Sequence, residues 1–527
     1  MNTLKITPEF SFPQSLWTQE WQAIFPPGLI RLLIQLHNDF SEERLDLLNQ
    51  RKQRQDSYNQ GALPAFLDQT SQAVTGNWQV SPLPPELLCR RVEITGPVNS
   101  TKMVINMLNR NSDGSRADMA MLDFEDSMKP SFVNVLSGYK NVLGAVVGDL
   151  SYTIDDKTIQ ITPHDSAYVM VRCRGLHLNE SNIKINGEPI SAGLLDLAVC
   201  FYHTALIYHA QNKTPKYYVP KCEHFLEARW WNKLFLALEK SLNLPVGTLR
   251  ATFLIETLPA AFQVEEILYE IKEHAAGLNV GRWDKIFSDI KVLRFHSSRV
   301  LADRDLITMQ KPWMENYAKR VIAICHNRGA LAIGGMSAFT PGKSQAQREE
   351  QTRKVFDDKQ REAIWGHDGC WVSHPYFIGH ALSAFKFDNQ LHLKLSDFNK
   401  YSDLVPRGGG PYTLAGLRTN IRVAIAYLYG WDQGLGCIAL DNKMEDLATL
   451  EISRAQIWQW NHYQVRLEEG LKVNQELIHQ TFDQELVKLA SEMEISIQDL
   501  LPAKNRAEKL FLQENLSEFM CTASELI

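Results

Sequence analysis

Between Arg90 and Pro375 the chain repeats one pattern eight times: a short apolar run of β character, closed by polar or glycine residues, then a longer helical stretch. The runs are RRVEITGP (Arg90 to Pro97), MLDFEDS (Met121 to Ser127), AYVMVRCRG (Ala167 to Gly175), KYYVPK (Lys216 to Lys221), RATFLIET (Arg250 to Thr257), GLNVGRWD (Gly277 to Asp284), GALAIGGM (Gly329 to Met336) and DGCWVSHP (Asp368 to Pro375). This alternation fits two architectures, a (β/α)8 barrel or a doubly wound sheet. The barrel is preferred because potentially reactive side chains recur where the runs end, which is where a barrel gathers its catalytic groups: Asp123 with Glu125 and Asp126, Arg172, Lys221, Glu256, Asp284 and His374.

The flanks read differently. Residues 1–88 form an N-terminal helical segment, with apolar positions at helical spacing through Leu29 to Leu36 and again through Leu45 to Leu48 behind a Ser41 cap. Residues 89–394 hold the barrel. Residues 395–527 open on VPRGGGPYT (Val405 to Thr413), read as a flexible connection, and continue as a helical domain with patterns at Leu417 to Trp431, Glu445 to Trp460 and Gln475 to Glu494. The most apolar stretch, Ala192 to Tyr208, is interrupted by Asp196 and His203 and reads as a buried helix, so no membrane partner is expected.

A net charge of −6 with both signs interspersed argues against nucleic acid. The most basic stretch, Arg51 to Arg54 within RKQRQ, reads as a solvated helix face. Eight cysteines without a CxxC pair exclude a disulfide framework or thiolate zinc site and suit a reducing compartment. The opening MNTLKITPEFSF has no secretory pattern, and the final Glu525, Leu526 and Ile527 do not match an SKL-type address, so a cytoplasmic location is expected.

Taken by residue type alone, several positions carry two readings. Glu256 and Asp284 offer hard oxygen donors of the kind Mg²⁺ takes, or an ion pair with a neighbour such as Arg282. Arg172 suits a developing oxyanion, or a structural bridge to Asp123, Glu125 or Asp126. Lys221 and His374 carry weaker signals. Glu445 and Asp446 open a helix, where acids favour the dipole. PGKS (Pro341 to Ser344) fails as a phosphate loop because Ser337 stands where its first glycine is required, and Gly408 to Gly410 lack a preceding strand.

KEHAAGLNVGRWDKIF (Lys272 to Phe287) closely resembles the signature of malate synthases, and RRVEITGPV, MLDFEDS, VRCRGLHL, FLIETLPAAFQ, GGMSAF, GHDGCWVSHP and MEDLATLEISR resemble family blocks in family order. The length resembles the shorter A-type enzymes, which lack the inserted domain of the longer type. The resemblance implies that Glu256 and Asp284 bind Mg²⁺, that Arg172 stabilises an enolate and that Asp446 is the general base. It also implies that Gly281, Arg282, Trp283 and Asp284 cradle glyoxylate, which condenses with acetyl-CoA. Departures are Lys285 for the usual tyrosine, Cys370 for threonine, Lys443 for leucine, and a divergent C-terminus. Rival expectations are a malyl-CoA or citramalyl-CoA lyase-like enzyme, which would lack the Asp446 block, and a non-catalytic binding descendant.

Overall fold

A computed structural model describes residues 3–395, 398–399 and 401–520. Cys521 and the C-terminal tripeptide lie outside the described residues. The eight runs form eight parallel strands closed into a barrel: β1 (Val92–Pro97), β2 (Met119–Asp123), β3 (Tyr168–Arg172), β4 (Lys216–Val219), β5 (Arg250–Ile255), β6 (Ala275–Val280), β7 (Leu331–Ser337) and β8 (Gly369–Val372). Each strand pairs with its neighbour in sequence, and β8 returns to β1 with Cys370 opposite Val92, so the barrel has no sheet edge. The doubly wound alternative is thereby excluded.

Inside the barrel, Met119, Met121, Met170, Tyr218, Leu254, Leu331, Ile333 and Trp371 fill the space as a packed core. At its floor a buried polar knot is fully engaged: Arg90 bridges Glu93 at 2.6 Å, and the Trp371 indole donates to Glu93 at 2.9 Å. Strands buried on both faces read as continuous apolar runs, which is why the sequence exposes them. Cys370 is buried on β8 with its thiol donating to the Arg91 carbonyl, a role that threonine also fills.

The N-terminal segment departs from its expected breaks. Helix α1 (Pro27–Asn59) runs unbroken for 33 residues from a proline at its first turn, and Ser41 lies inside it rather than capping a second helix. Its buried stripe continues through polar residues, which an apolar count misses: Arg44 donates to the carbonyls of Leu176 and Leu178, and Arg51 forks onto Glu227 at 2.7 and 2.6 Å. Arg51 is therefore no part of a solvated face; it stitches α1 to the barrel shell through a buried carboxylate.

On the other side, α2 (Trp283–Val292) follows β6, and the C-terminal helices are α3 (Leu414–Asp432), α4 (Leu447–His462), α5 (Gln475–Glu492) and α6 (Ile497–Phe511). Helix α4 packs along α2 and carries its N-terminus to the barrel mouth. The connection before α3 is anchored rather than loose: Gly409 N donates to the Val300 carbonyl at 2.9 Å, and a β-carbon at Gly408 would lie 2.3 Å from the Ser298 carbonyl oxygen. Residues 192–210 form the expected buried helix, and no helix among the described residues is long and apolar enough to cross a membrane.

Candidate active site

At the C-terminal ends of the strands lies a cavity of about 370 Å³ whose lining includes Asp126, Arg172, Glu256, Trp283, Asp284 and Asp446. Register explains half of the arrangement. Asp123 and Arg172 are paired positions at the ends of β2 and β3, and the guanidinium forks onto Asp123 through Nε (2.7 Å) and Nη2 (2.6 Å). Its remaining nitrogen, Nη1, sits 3.3 Å from Asp126 and 3.7 Å from Glu125. The structural reading of Arg172 thus holds: a fork onto Asp123 fixes the group, and Nη1 is left beside Asp126 and Glu125 at the cavity wall.

Glu256 follows β5 directly, but Asp284 does not end a strand. Strand β6 stops at Val280, and Asp284 occupies the first turn of α2, where a carboxylate suits the helix dipole. The turn between them requires glycine at 281, because a β-carbon there would lie 2.5 Å from that of Glu256. This close approach seats the Gly281 backbone directly against Glu256.

Lys221 is far more central than its weak sequence signal implies. Its ammonium bonds both oxygens of Asp126 at 2.9 Å and lies 3.2 Å from Glu125 and from Asp284, while its backbone N–H donates to Glu256 at 2.7 Å. Its φ of +51° is the left-handed region that lysine rarely adopts, and such strain persists only where the surroundings enforce it. A lysine after a short strand gives no local sign of this role. His374, by contrast, accepts from the Tyr376 N–H as the cap of a short turn at the cavity's rim.

Asp446 arrives from the helical domain. It is the N-cap of α4, in a reciprocal box with Thr449, and the Leu447 N–H donates to the Asp126 carbonyl, tying the cap to the barrel loop. Glu445 ends a short strand instead of opening the helix, and pairs with Arg304 at 2.7 Å.

Six buried carboxylates (Asp123, Glu125, Asp126, Glu256, Asp284 and Asp446) face two buried cations, Arg172 and Lys221. Burial raises Glu125, Glu256, Asp284 and Asp446 above the usual carboxylate range, the charge of Asp126 adds to each, and Asp446 is pushed up to about 7. Both Glu125 oxygens and Oδ1 of Asp284 have no hydrogen-bond partner. Among the described residues these oxygens meet only the Lys221 and Arg172 charges, and six acids against two cations leave an excess of buried negative charge that a divalent cation would relieve.

Lys285 is also accounted for. It is fully buried in an i,i+4 ion pair with Asp289, its ammonium 5.4 Å from the Tyr317 ring centroid, and burial raises Asp289 to about 6 against the pull of that lysine. Lys285→Met is expected to cost about 3–5 kcal/mol, because it strands a buried acid. The check is the urea midpoint; Asp289→Leu added to it should recover most of the loss, and an unchanged midpoint for the single variant would contradict the pairing.

Family models match three consecutive segments: the malate synthase N-terminal domain over residues 19–72, the malate synthase TIM barrel domain over 168–402 and the malate synthase C-terminal domain over 412–525. The barrel segment begins at β3, so β1 and β2 fall between the first two matches. Malate synthase of Myxococcus xanthus is 44% identical over 482 residues, covering 90% of this chain and 88% of that one. Malate synthase A of Escherichia coli is 41% identical over 495 residues, covering 92% and 91%. The solved Haloferax volcanii malate synthase is similar at a TM-score of 0.44 and 12% identity, covering 80% of this chain and 97% of that one. A barrel mouth lined with acids, a helical domain that completes it, and relatives this similar across nearly their whole length give one conclusion: the chain belongs to the malate synthase family.

Proposed function

We propose that this chain condenses acetyl-CoA with glyoxylate and hydrolyses the resulting malyl thioester to malate and free CoA, with Mg²⁺ held by Glu256 and Asp284. The observation that carries this reading is Asp446, delivered by a separate helical domain into the same cavity as Arg172, Glu256 and Asp284. Asp446 takes a proton from the acetyl methyl group. A free aspartate, with a pKa near 3.9, is a poor base for a carbon acid, and burial that raises Asp446 to about 7 narrows that mismatch.

Arg172 presents Nη1 to the thioester oxygen as it becomes an enolate oxygen, while Asp123 keeps the guanidinium from turning. The enolate carbon attacks the aldehyde carbon, whose C=O π bond breaks as the new carbon–carbon bond forms; the aldehyde oxygen takes up a proton to become the hydroxyl, and water then adds to the thioester carbon and expels CoA as its thiol. Gly281 to Asp284 cradle the oxo acid against Glu256. When bound, Mg²⁺ supplies charge neutralisation for the aldehyde and carboxylate oxygens. Glu256 and Asp284 would hold the ion through their carboxylates and leave it able to meet substrate and water oxygens. The described cysteines are all free, in accord with a cytoplasmic setting.

Mixing acetyl-CoA and glyoxylate with the chain should release one thiol per glyoxylate consumed, a stoichiometry that a lyase does not give. A chelator should abolish the release and added Mg²⁺ restore it. Undiminished turnover in the chelator would refute the role given to Glu256 and Asp284.

A further inference from the structure

A second cavity, of about 270 Å³, stands beside the first, and Arg282 and Trp283 line both. The far walls bring in Ser337 at the end of β7 and Phe339 beyond it, Lys354 and Asp358 from the helix Gln345–Trp365, Lys443 from the hairpin preceding α4, and Asp305.

Two observations describe what this space is built to meet. The Arg282 guanidinium lies 4.6 Å over the Trp283 ring, its Nε is buried without a hydrogen-bond partner, and it joins no ion pair among the described residues. Ser337 is only 3% exposed, and its hydroxyl also has no partner. The other charges are answered locally: Lys443 pairs with Asp305 at 2.6 Å, Lys354 with Glu350 at 2.7 Å, and Asp358 with Lys359 at 3.3 Å. That leaves the Arg282 guanidinium without a direct salt bridge, its charge felt across the chamber by Asp305 and Asp358, and one hydroxyl donor, in a space with room for a two-carbon or four-carbon acid.

On the reaction proposed above the main cavity takes the acyl end of the thioester, and Arg282 and Trp283 stand between that cavity and the second one. We propose that the second cavity is an anion antechamber, through which the small oxo acid enters and the hydroxy-dicarboxylate product leaves past Arg282 and Trp283 while the thioester is seated. This rests on the reaction proposed above. Lys443 and Lys354, each held by a neighbouring acid, leave the chamber lining one positive charge in excess together with Arg282, against Asp305 and Asp358.

The test is kcat/KM for glyoxylate, measured by thiol release at saturating and at scarce acetyl-CoA. Lys443→Trp, which places an indole in the chamber, should lower kcat/KM about tenfold when acetyl-CoA saturates and under about twofold when the main mouth is empty. Removing charge with Lys354→Met and Lys443→Met together should cost about three- to fivefold and flatten the salt dependence of the wild type. Neither change should alter the KM for acetyl-CoA. Glyoxylate kinetics at saturating acetyl-CoA that match wild type in both variants would overturn the antechamber while leaving the reaction intact. A wild-type chain that releases no thiol would instead overturn the reaction itself. Should the tryptophan variant fail to fold, the charge variant decides alone.

Discussion

Asp446→Asn is expected to lower kcat by about 10²- to 10⁴-fold, the usual share of a positioned base. The change is nearly isosteric, and asparagine caps a helix as well as aspartate does, so the box with Thr449 and the seat of α4 on the barrel should survive. Binding of Mg²⁺ and glyoxylate, followed by calorimetry, should persist because Glu256, Asp284 and Gly281 are untouched. Only the carboxylate accepts a proton, so wild-type turnover should decline as pH falls through the titration of Asp446, and the variant's residual rate should lack that limb. Turnover within a few fold of wild type would remove Asp446 as the base.

Family likeness points to this acid, whereas spacing along the chain gives no hint that it reaches the barrel mouth. An acid at a helix start is ordinarily a cap, and Asp446 is one; its second role depends on α4 lying along α2, a contact between segments more than 150 residues apart. The strands are legible because burial on both faces leaves an unmistakable apolar run. Helix α1 reads as two pieces because Arg44, Arg51 and Gln55 continue its buried stripe with polar side chains whose partners are remote in sequence. Asp284 looks like a strand end because GLNVGRWD carries no cap residue to mark the turn into α2; the N-cap position is Arg282, whose side chain makes no capping bond. Lys221 is the least legible of the site residues. Its importance comes from Glu125 and Asp126 in the loop after β2 and Asp284 in the first turn of α2, which converge on it from segments remote in sequence.

Arg172→Lys is expected to reduce kcat by about 10²- to 10³-fold with little change in the KM for either substrate. On the proposed mechanism arginine does two things at once: Nε and Nη2 hold Asp123, as the structure has them, and Nη1 meets the substrate oxygen. A lysine keeps the positive charge, so Asp123 is not stranded and the fold should hold, but its point charge cannot grip Asp123 and reach the cavity in one fixed geometry. Asp126 lies 3.3 Å from Nη1 and would compete for any ammonium free to move. Arg172→Met should lose turnover to a similar degree and stability as well, by about 3–5 kcal/mol, because an acid buried at the end of β2 then has no counter-charge. If the two variants lose stability alike while the lysine variant keeps its turnover, Arg172 serves the barrel alone. A lysine variant that folds as wild type and fails only in kcat assigns the loss to the enolate oxygen, since ground-state binding and structure are then unchanged.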